Sequence, residues 1–306
     1  MKIFKNHGDY YIPKSDMKSS GEARILRILL VFVVLFTAVF LIVLSRHYSS
    51  AAEFFGKGEV TVTQAEEEEE YLPPIEGKTN FIVFETDDER TAMNFIFLIQ
   101  ADKDNKAYKV CSLSPKTMID GKNLYDIYSV GGGAAVQTKL TEYLGVQIDY
   151  FAEFEATSFT DFGAKLGTLV YPSPEEIKFS GGDEENKYTL HISEGEQNLD
   201  AQMISNLLRY YSEEKKNFAL ENELIQRIFT GLFNEENYGD CDSLFRLFIK
   251  SATTNITVRD FENGKDALTV FCKLNTDITV YGAEVQYEDN VLTQNSVKEI
   301  KGYFSK

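Results

Sequence analysis

Four charged residues, Asp87, Asp88, Glu89 and Arg90, separate two apolar runs in the stretch NFIVFETDDERTAMNFIFLIQ, Asn80 to Gln100. Adjacent carboxylates beside a guanidinium can hold a divalent cation and a phosphate together. They can equally form a polar turn between two strands. Other candidate chemistry is sparse. Ser112 and Ser114 have no nucleophile-elbow context and no paired histidine, so covalent catalysis has no support. Gly131–Gly133 precede a helical pattern and could offer backbone N–H groups to phosphate. No Lys-Ser or Lys-Thr follows at P-loop spacing, and a loop-to-helix transition is the simpler reading. Asp149, Glu153 and Glu155 alternate along a strand pattern, which reads as a solvated edge. The three histidines (His7, His47, His191) are not at ligand spacing, which excludes a His-built metal site. Cys111, Cys241 and Cys272 show no zinc pattern. Cys111 and Cys272 lie in apolar runs as small core residues. One disulfide or none is open, and spacing does not choose between them.

The elements that must position these residues follow an alternating strand and helix pattern from Asn80 onward. Strands are expected at 80–84, 94–100 and 107–113, the last two joined as a hairpin by ADKDNK. A helix opens at Gly131–Gly133, a strand spans 148–155, and a short helix spans 159–166. Strands near 168–171, 177–179 and 187–192 precede three amphipathic helices, LDAQMISNLLRYY, LENELIQRIFTGLF and CDSLFRLFIKSA. Strands near 268–274 and 279–281 and a helix from about Thr293 complete the pattern. The expected fold is α/β, one mixed central sheet with helices on both faces.

Before that domain comes the strongest local signal. Ile28 to Leu44, ILLVFVVLFTAVFLIVL, contains one polar residue, Thr37, and with its neighbours reaches the roughly 20 residues that cross a bilayer. SSAA at 49–52 leaves a signal peptide as the alternative. Lys2, Lys5, Lys14, Lys18, Arg24 and Arg27 precede the segment, and the positive-inside bias keeps that end in the cytoplasm. The division is therefore 1–24 cytoplasmic, 25–45 transmembrane helix, 46–77 an acidic extracytoplasmic stalk, and 78–306 the α/β domain. The run Glu66 to Glu70 repels itself and extends the stalk. A net charge of −17 excludes nucleic acid as a partner and offers no basic face to anionic lipid.

The order of these weak pieces is more specific than any one of them. TDDER ends the first strand, CSLSPKT follows the hairpin, and LYDIYSVGGGAAVQTKLTEYLGVQIDYFAEF comes next. GEQNLDAQMISNLLRYY and TTNITVRDF follow. This succession, from about Thr79 to the C-terminus, resembles the LytR-CpsA-Psr family of bacterial cell-envelope proteins. The resemblance implies a single-pass membrane protein with an extracytoplasmic α/β/α domain. It implies magnesium-dependent transfer of a glycopolymer, such as teichoic acid or capsule, from a polyprenyl pyrophosphate carrier to peptidoglycan. It also implies arginines on the pyrophosphate and acids on the metal, a chemistry that suits the planar, permanently charged guanidinium.

Carried over by motif, Asp87 and Asp88 both match the first acid and Arg90, with a shift of one, its arginine; Asp87, Arg90 and Lys116 of the next motif fall on the catalytic positions. Asp87 and Asn94 fall on the two metal positions, where Asn94 brings an oxygen but no charge. Arg209 matches the first arginine of an Arg-x-Arg pair, and Tyr211 takes the place of the second. Pro115 stands where the SPKT motif should supply an arginine, and Leu220 and Glu223 stand where a further pair should open the next helix. Losing three such contacts costs on the order of 5–9 kcal/mol of pyrophosphate binding. The expectation is a pseudoenzyme, a degenerate member that binds or regulates. Its partners would be the membrane and a polyprenyl-pyrophosphate-linked glycopolymer, peptidoglycan or an envelope protein. The alternative is an active magnesium-dependent phosphotransferase. A pocket with three or more converging cations would favour the enzyme, and a mouth lined by Glu223, Tyr211 and Leu220 the binding module.

Overall fold

The computed structural model describes residues 72–182, 186–275 and 285–305. The expected membrane span, the segment before it, most of the stalk and the strand near 279–281 lie outside those residues. Among the described residues no helix is long and apolar enough to cross a membrane.

The strands in chain order are β1 (Lys78–Thr86), β2 (Met93–Asp102), β3 (Ala107–Leu113), β4 (Met118–Ile119), β5 (Lys122–Asn123), β6 (Tyr150–Glu155), β7 (Leu169–Ser173), β8 (Ile177–Gly181), β9 (Tyr188–Ile192), β10 (Gly195–Leu199), β11 (Ala252–Thr254), β12 (Tyr287–Glu288) and β13 (Val291–Leu292). The helices are α1 (Leu124–Leu144), α2 (Ala156–Gly163), α3 (Ala201–Arg209), α4 (Phe218–Leu232), α5 (Glu235–Gly239), α6 (Cys241–Ser251), α7 (Val258–Leu274) and α8 (Gln294–Phe304). A π-helical turn, Tyr210–Lys215, continues α3.

Five strands form the central sheet in the order β11-β6-β1-β2-β3. β1 and β6 run parallel and the other neighbours antiparallel, so the sheet is mixed. Strand β2 is buried along nearly its whole length, as a strand covered on both faces must be. On one face Ile82, Phe84, Ile96 and Leu98 join Val136 and Leu140 of α1 and Ile300 and Phe304 of α8. On the other, Phe95, Phe97 and Val110 join Leu207 and Leu208 of α3, Leu224 and Ile225 of α4 and Phe271 of α7. The edge strand β3 is covered by α4, where Asn222 Oδ1 accepts from Ser112 N–H at 2.8 Å. That bond satisfies a backbone donor no strand could pair.

Four local expectations are corrected. Helix α1 does not open at the glycines. It starts at Leu124 under a reciprocal cap, Asn123 with Asp126, and breaks at Gly131 and Gly132. Gly132 has φ 62° and ψ −161°, a conformation open only to glycine. Helix α2 spans 156–163 instead of 159–166. Residues 268–274 are not a strand but the end of α7, whose start is fixed by the reciprocal Thr257–Asp260 cap. β-branched and aromatic residues there satisfy the buried face of a helix as well as a strand. Strand β6 is interior to the sheet and Glu153 on it is buried, so the acidic alternation is no solvated edge.

Candidate functional site

The TDDER stretch folds as a loop that binds to itself and to its neighbours. The buried Asp87 carboxylate accepts from Thr91 N–H at 2.6 Å, from Ala92 N–H at 2.9 Å and from the Thr91 hydroxyl. Asp88 accepts from Thr157 N–H at 2.8 Å and from its hydroxyl at 2.5 Å. It thereby caps α2, whose own N-cap residue Glu155 makes no side-chain cap. Arg90, at φ 58°, spans to Glu155 with 2.7 and 2.8 Å contacts. The stretch is a polar turn that ties β1 to β6 and α2.

The chemistry lies one residue earlier. A cavity of about 350 Å³ opens where β1 ends and β2 begins, between α2, α3 and β9. It is lined by Glu85, Asp88, Asn94, Ala156, Thr157, Asn186, Lys187, Tyr188, Thr189, Gln202, Ser205, Asn206 and Arg209. Glu85 is 1 % exposed and holds hydrogen bonds from Asn94 Nδ2 at 2.9 Å and from Ser205 Oγ at 2.9 Å. Burial pushes its carboxyl up to about 7, against the opposing pull of those two donors and of Arg209. Near neutral pH it exchanges between acid and carboxylate.

Arg209 reaches the cavity from the last turn of α3, a helix capped by Asp200, which accepts from Met203 N–H at 2.8 Å. Its guanidinium is already engaged: Nε with Glu213 at 3.1 Å, Nη1 with the Asn186 carbonyl and Oδ1 at 3.1 and 2.9 Å. It also stacks over the Tyr188 ring at 4.4 Å.

Of the residues singled out from sequence, Asp88, Asn94 and Arg209 line this cavity. Asp87, Arg90, Lys116 and Tyr211 do not. Lys116 is exposed beside Ser114, whose Oγ accepts from its N–H at 3.2 Å. Tyr211 is wholly buried, its hydroxyl 3.0 Å from that of Tyr171. Tyr211 lies in the π-helical turn after Arg209, about half a turn of helix round from it, and belongs to the core. Glu223 pairs with Arg227 at 3.2 Å, and neither Glu223 nor Leu220 lines the cavity. The magnesium set drawn from the motif does not fit this arrangement. Asp87 spends its carboxylate on its own loop, and the Asn94 amide is turned to Glu85 and Asn186. Among the described residues no three His, Cys, Asp or Glu gather at metal-holding distance. Glu85 was missed because it ends an apolar strand. A lone carboxylate in such a run was the available signal.

A mixed sheet between helical layers, with a polar, ligand-sized cavity at the strand ends, defines an α/β/α binding or transfer domain. The LytR_cpsA_psr family matches residues 59–302, and the chain belongs to that family. The match begins within the segment read as a stalk. Among solved structures, a protein from Eubacterium siraeum DSM 15702 is 18 % identical with a TM-score of 0.61, covering 74 % of this chain and 91 % of that one. TagV of B. subtilis is 13 % identical with a TM-score of 0.58, covering 76 % and 97 %. TagT bound to LI-WTA is 14 % identical with a TM-score of 0.51, covering 77 % and 92 %. At these identities the likeness is one of fold. No curated protein matches the chain.

Proposed function

We propose that this chain is a membrane-anchored, extracytoplasmic family member that binds an envelope glycopolymer and has lost phosphotransfer. At the level of the family the work is cell-envelope glycopolymer attachment, and TagT, similar in fold, is described bound to LI-WTA. The anchor is the apolar segment 25–45. The observation that carries the reading is the charge of the cavity. Its two basic residues, Lys187 and Arg209, face two acidic ones, Glu85 and Asp88, and Arg209 is already bonded to Glu213 and Asn186. A pyrophosphate would have to displace those bonds and sit against Asp88 and a Glu85 carboxyl that is ionised only in part near neutral pH, both unfavourable. Amides and hydroxyls dominate the rest of the lining; Asn94, Ser205 and Thr157 are held by Glu85 and Asp88, which leaves Gln202 and Asn206 on α3 as the amides placed to exchange hydrogen bonds with sugar hydroxyls.

Calorimetric titration of the full-length chain tests this. A soluble glycopolymer fragment should bind saturably without magnesium and lose that binding in Gln202→Ala/Asn206→Ala. A polyprenyl pyrophosphate analogue with magnesium should not saturate. Micromolar, magnesium-dependent binding of the analogue that Arg209→Ala abolishes would overturn the proposal. It would favour the second reading, a divergent phosphotransferase acting from polyprenyl pyrophosphate to peptidoglycan. One observation favours that reading: Asp88, Asn94 and Arg209, all family-matched positions, share the cavity.

A further inference from the structure

Glu85 and Ser205 both line the cavity, and both are nearly closed to solvent, at 1 % and 3 % exposure. Ser205 Oγ stands 2.9 Å from each carboxyl oxygen of Glu85. Asn94 Nδ2 donates to Oε1 at 2.9 Å, and Asn94 Oδ1 accepts from Asn186 Nδ2 at 3.4 Å. Asn186 Oδ1 in turn accepts from Arg209 Nη1 at 2.9 Å. A guanidinium can only donate, so it fixes the direction of each amide in this relay. The relay ends with a donor on Oε1, and that oxygen must keep accepting. Among the described residues, Oε2 meets only Ser205. A proton on Glu85 therefore sits on Oε2 and points at Ser205 Oγ.

We propose that the proton on Glu85 sets the polarity that Ser205 shows to the cavity, and with it the class of oxygen the cavity takes. With Glu85 ionised, the Ser205 hydroxyl donates to the carboxylate and leaves only lone pairs for a ligand. When Oε2 takes a proton from solvent, it donates to Ser205 Oγ instead. The serine hydrogen then turns away from Glu85 while the heavy atoms stay in place. The cavity has gained a donor and lost a negative charge. Both changes favour an oxygen that accepts and cannot donate, such as the carbonyl of an N-acetylated sugar. The choice of a sugar rests on the proposed function; the exchange between Glu85 and Ser205 does not. Burial pushes the Glu85 carboxyl up to about 7, so the exchange falls in the neutral range. The ionisable groups around it are Asp88 in the β1–β2 loop, Lys187 and Tyr188 at the start of β9, and Arg209 with Glu213 behind it. Strand β2 and helix α2 present the neutral Asn94, Ala156 and Thr157. Asp87 spends its carboxylate on its own loop and Asn94 its amide on this relay, so the exchange needs no metal.

The test titrates the full-length chain by calorimetry between pH 5.5 and 8.5, without magnesium. The probes are triacetylchitotriose and cellotriose, which has hydroxyls in place of the acetamides. The acetylated sugar should bind about tenfold more weakly at pH 8.5 than at pH 5.5, the worth of one hydrogen bond. Cellotriose, whose hydroxyls can accept or donate, should change by less than about threefold. Glu85→Gln keeps an amide N–H on Ser205 at every pH, and should hold the tighter binding throughout. A pH dependence that survives Glu85→Gln would overturn the proposal and point to His191, exposed on β9. A profile that added magnesium shifts, or equal responses from the two sugars, would overturn it too. Infrared difference spectra of the wild type against Glu85→Gln give a readout without ligand. A carboxylic-acid C=O band should be present at pH 5.5, vanish by pH 8.5, and be displaced in Ser205→Ala. No band at pH 5.5, or one that ignores Ser205→Ala, would sink the assignment. If the band behaves as expected and neither sugar binds at any pH, the glycopolymer reading fails and the exchange stands.

Discussion

Glu85 holds a carboxyl at about 7 inside a protein fold, and that has a thermodynamic sign. Its unfolded value is near 4.5, so between 4.5 and 7 the folded chain keeps a proton that the unfolded chain has lost. Stability contributed by the acid form is therefore complete below pH 4.5 and is lost as pH rises to 7. The difference is on the order of 3 kcal/mol. Glu85→Gln, which keeps shape and donors while removing the charge, should raise the urea midpoint at pH 8 and leave it nearly unchanged at pH 4.5. Equal effects at both values would refute the assignment. Glu221 acts with the same sign: it is fully buried on α4, neither carboxyl oxygen has a hydrogen-bond partner among the described residues, and burial drives it well above the usual range. Glu221→Gln should therefore also stabilise at neutral pH, and the double variant should be nearly additive because no shared bond links the two.

At the scale of elements, the β1–β2 loop and the α1 break give predictions that separate architecture from chemistry. Asp88→Ala removes the cap that α2 does not supply for itself and should cost about 1 kcal/mol. Arg90→Ala removes an ion pair whose side chains are 51 % and 36 % exposed, and should cost less, roughly 0.2–1 kcal/mol. If Arg90→Ala proved the more damaging in chemical denaturation, the loop would have a role beyond bracing. Gly132→Ala imposes a side chain on a glycine-only conformation and should cost about 1–3 kcal/mol. These elements were unequally legible. The first three strands follow from alternating or continuous apolar runs bounded by charged turns, and Arg209 follows from its motif. The end of α7 did not, because ALTVFCKL carries both periods and the deciding signal, Thr257 with Asp260, lies eleven residues upstream of Leu268. The burial of Tyr211 was open to helical spacing, since a residue two after Arg209 lies about 200° around the axis, but the motif match alone did not use it. The cavity was illegible because it gathers β1, β2, α2, β9 and α3, and its acid hides within an apolar strand.

Taken as a whole molecule, the sheet depends on being covered from both sides, and one cover comes from the last helix. Ile300 and Phe304 of α8 are buried in the core of the α1 face. Two polar groups of the sheet also rely on α8: Gln100 Nε2 donates to the Phe304 carbonyl at 2.6 Å, and Lys109 Nζ to the Tyr303 carbonyl at 3.2 Å. Burying two such apolar side chains stabilises by about 1.5–3 kcal/mol each. Leaving one of the two N–H donors of the buried Gln100 amide unpaired, the other still reaching Asn80 Oδ1 at 2.9 Å, costs about 1–3 kcal/mol more. The total, on the order of 4–9 kcal/mol, is comparable to the entire 5–15 kcal/mol stability of a typical domain. Removing residues 294–306 should therefore unfold the described domain cooperatively instead of fraying one end. Phe304→Ala alone should cost about 3–5 kcal/mol. Circular dichroism melts and limited proteolysis of the shortened chain check this: a native-like melt with intact resistance would show that β1, β2 and α1 hold together without α8. The expected loss would place α8 among the elements that keep the sheet, and so the cavity at its strand ends, in shape.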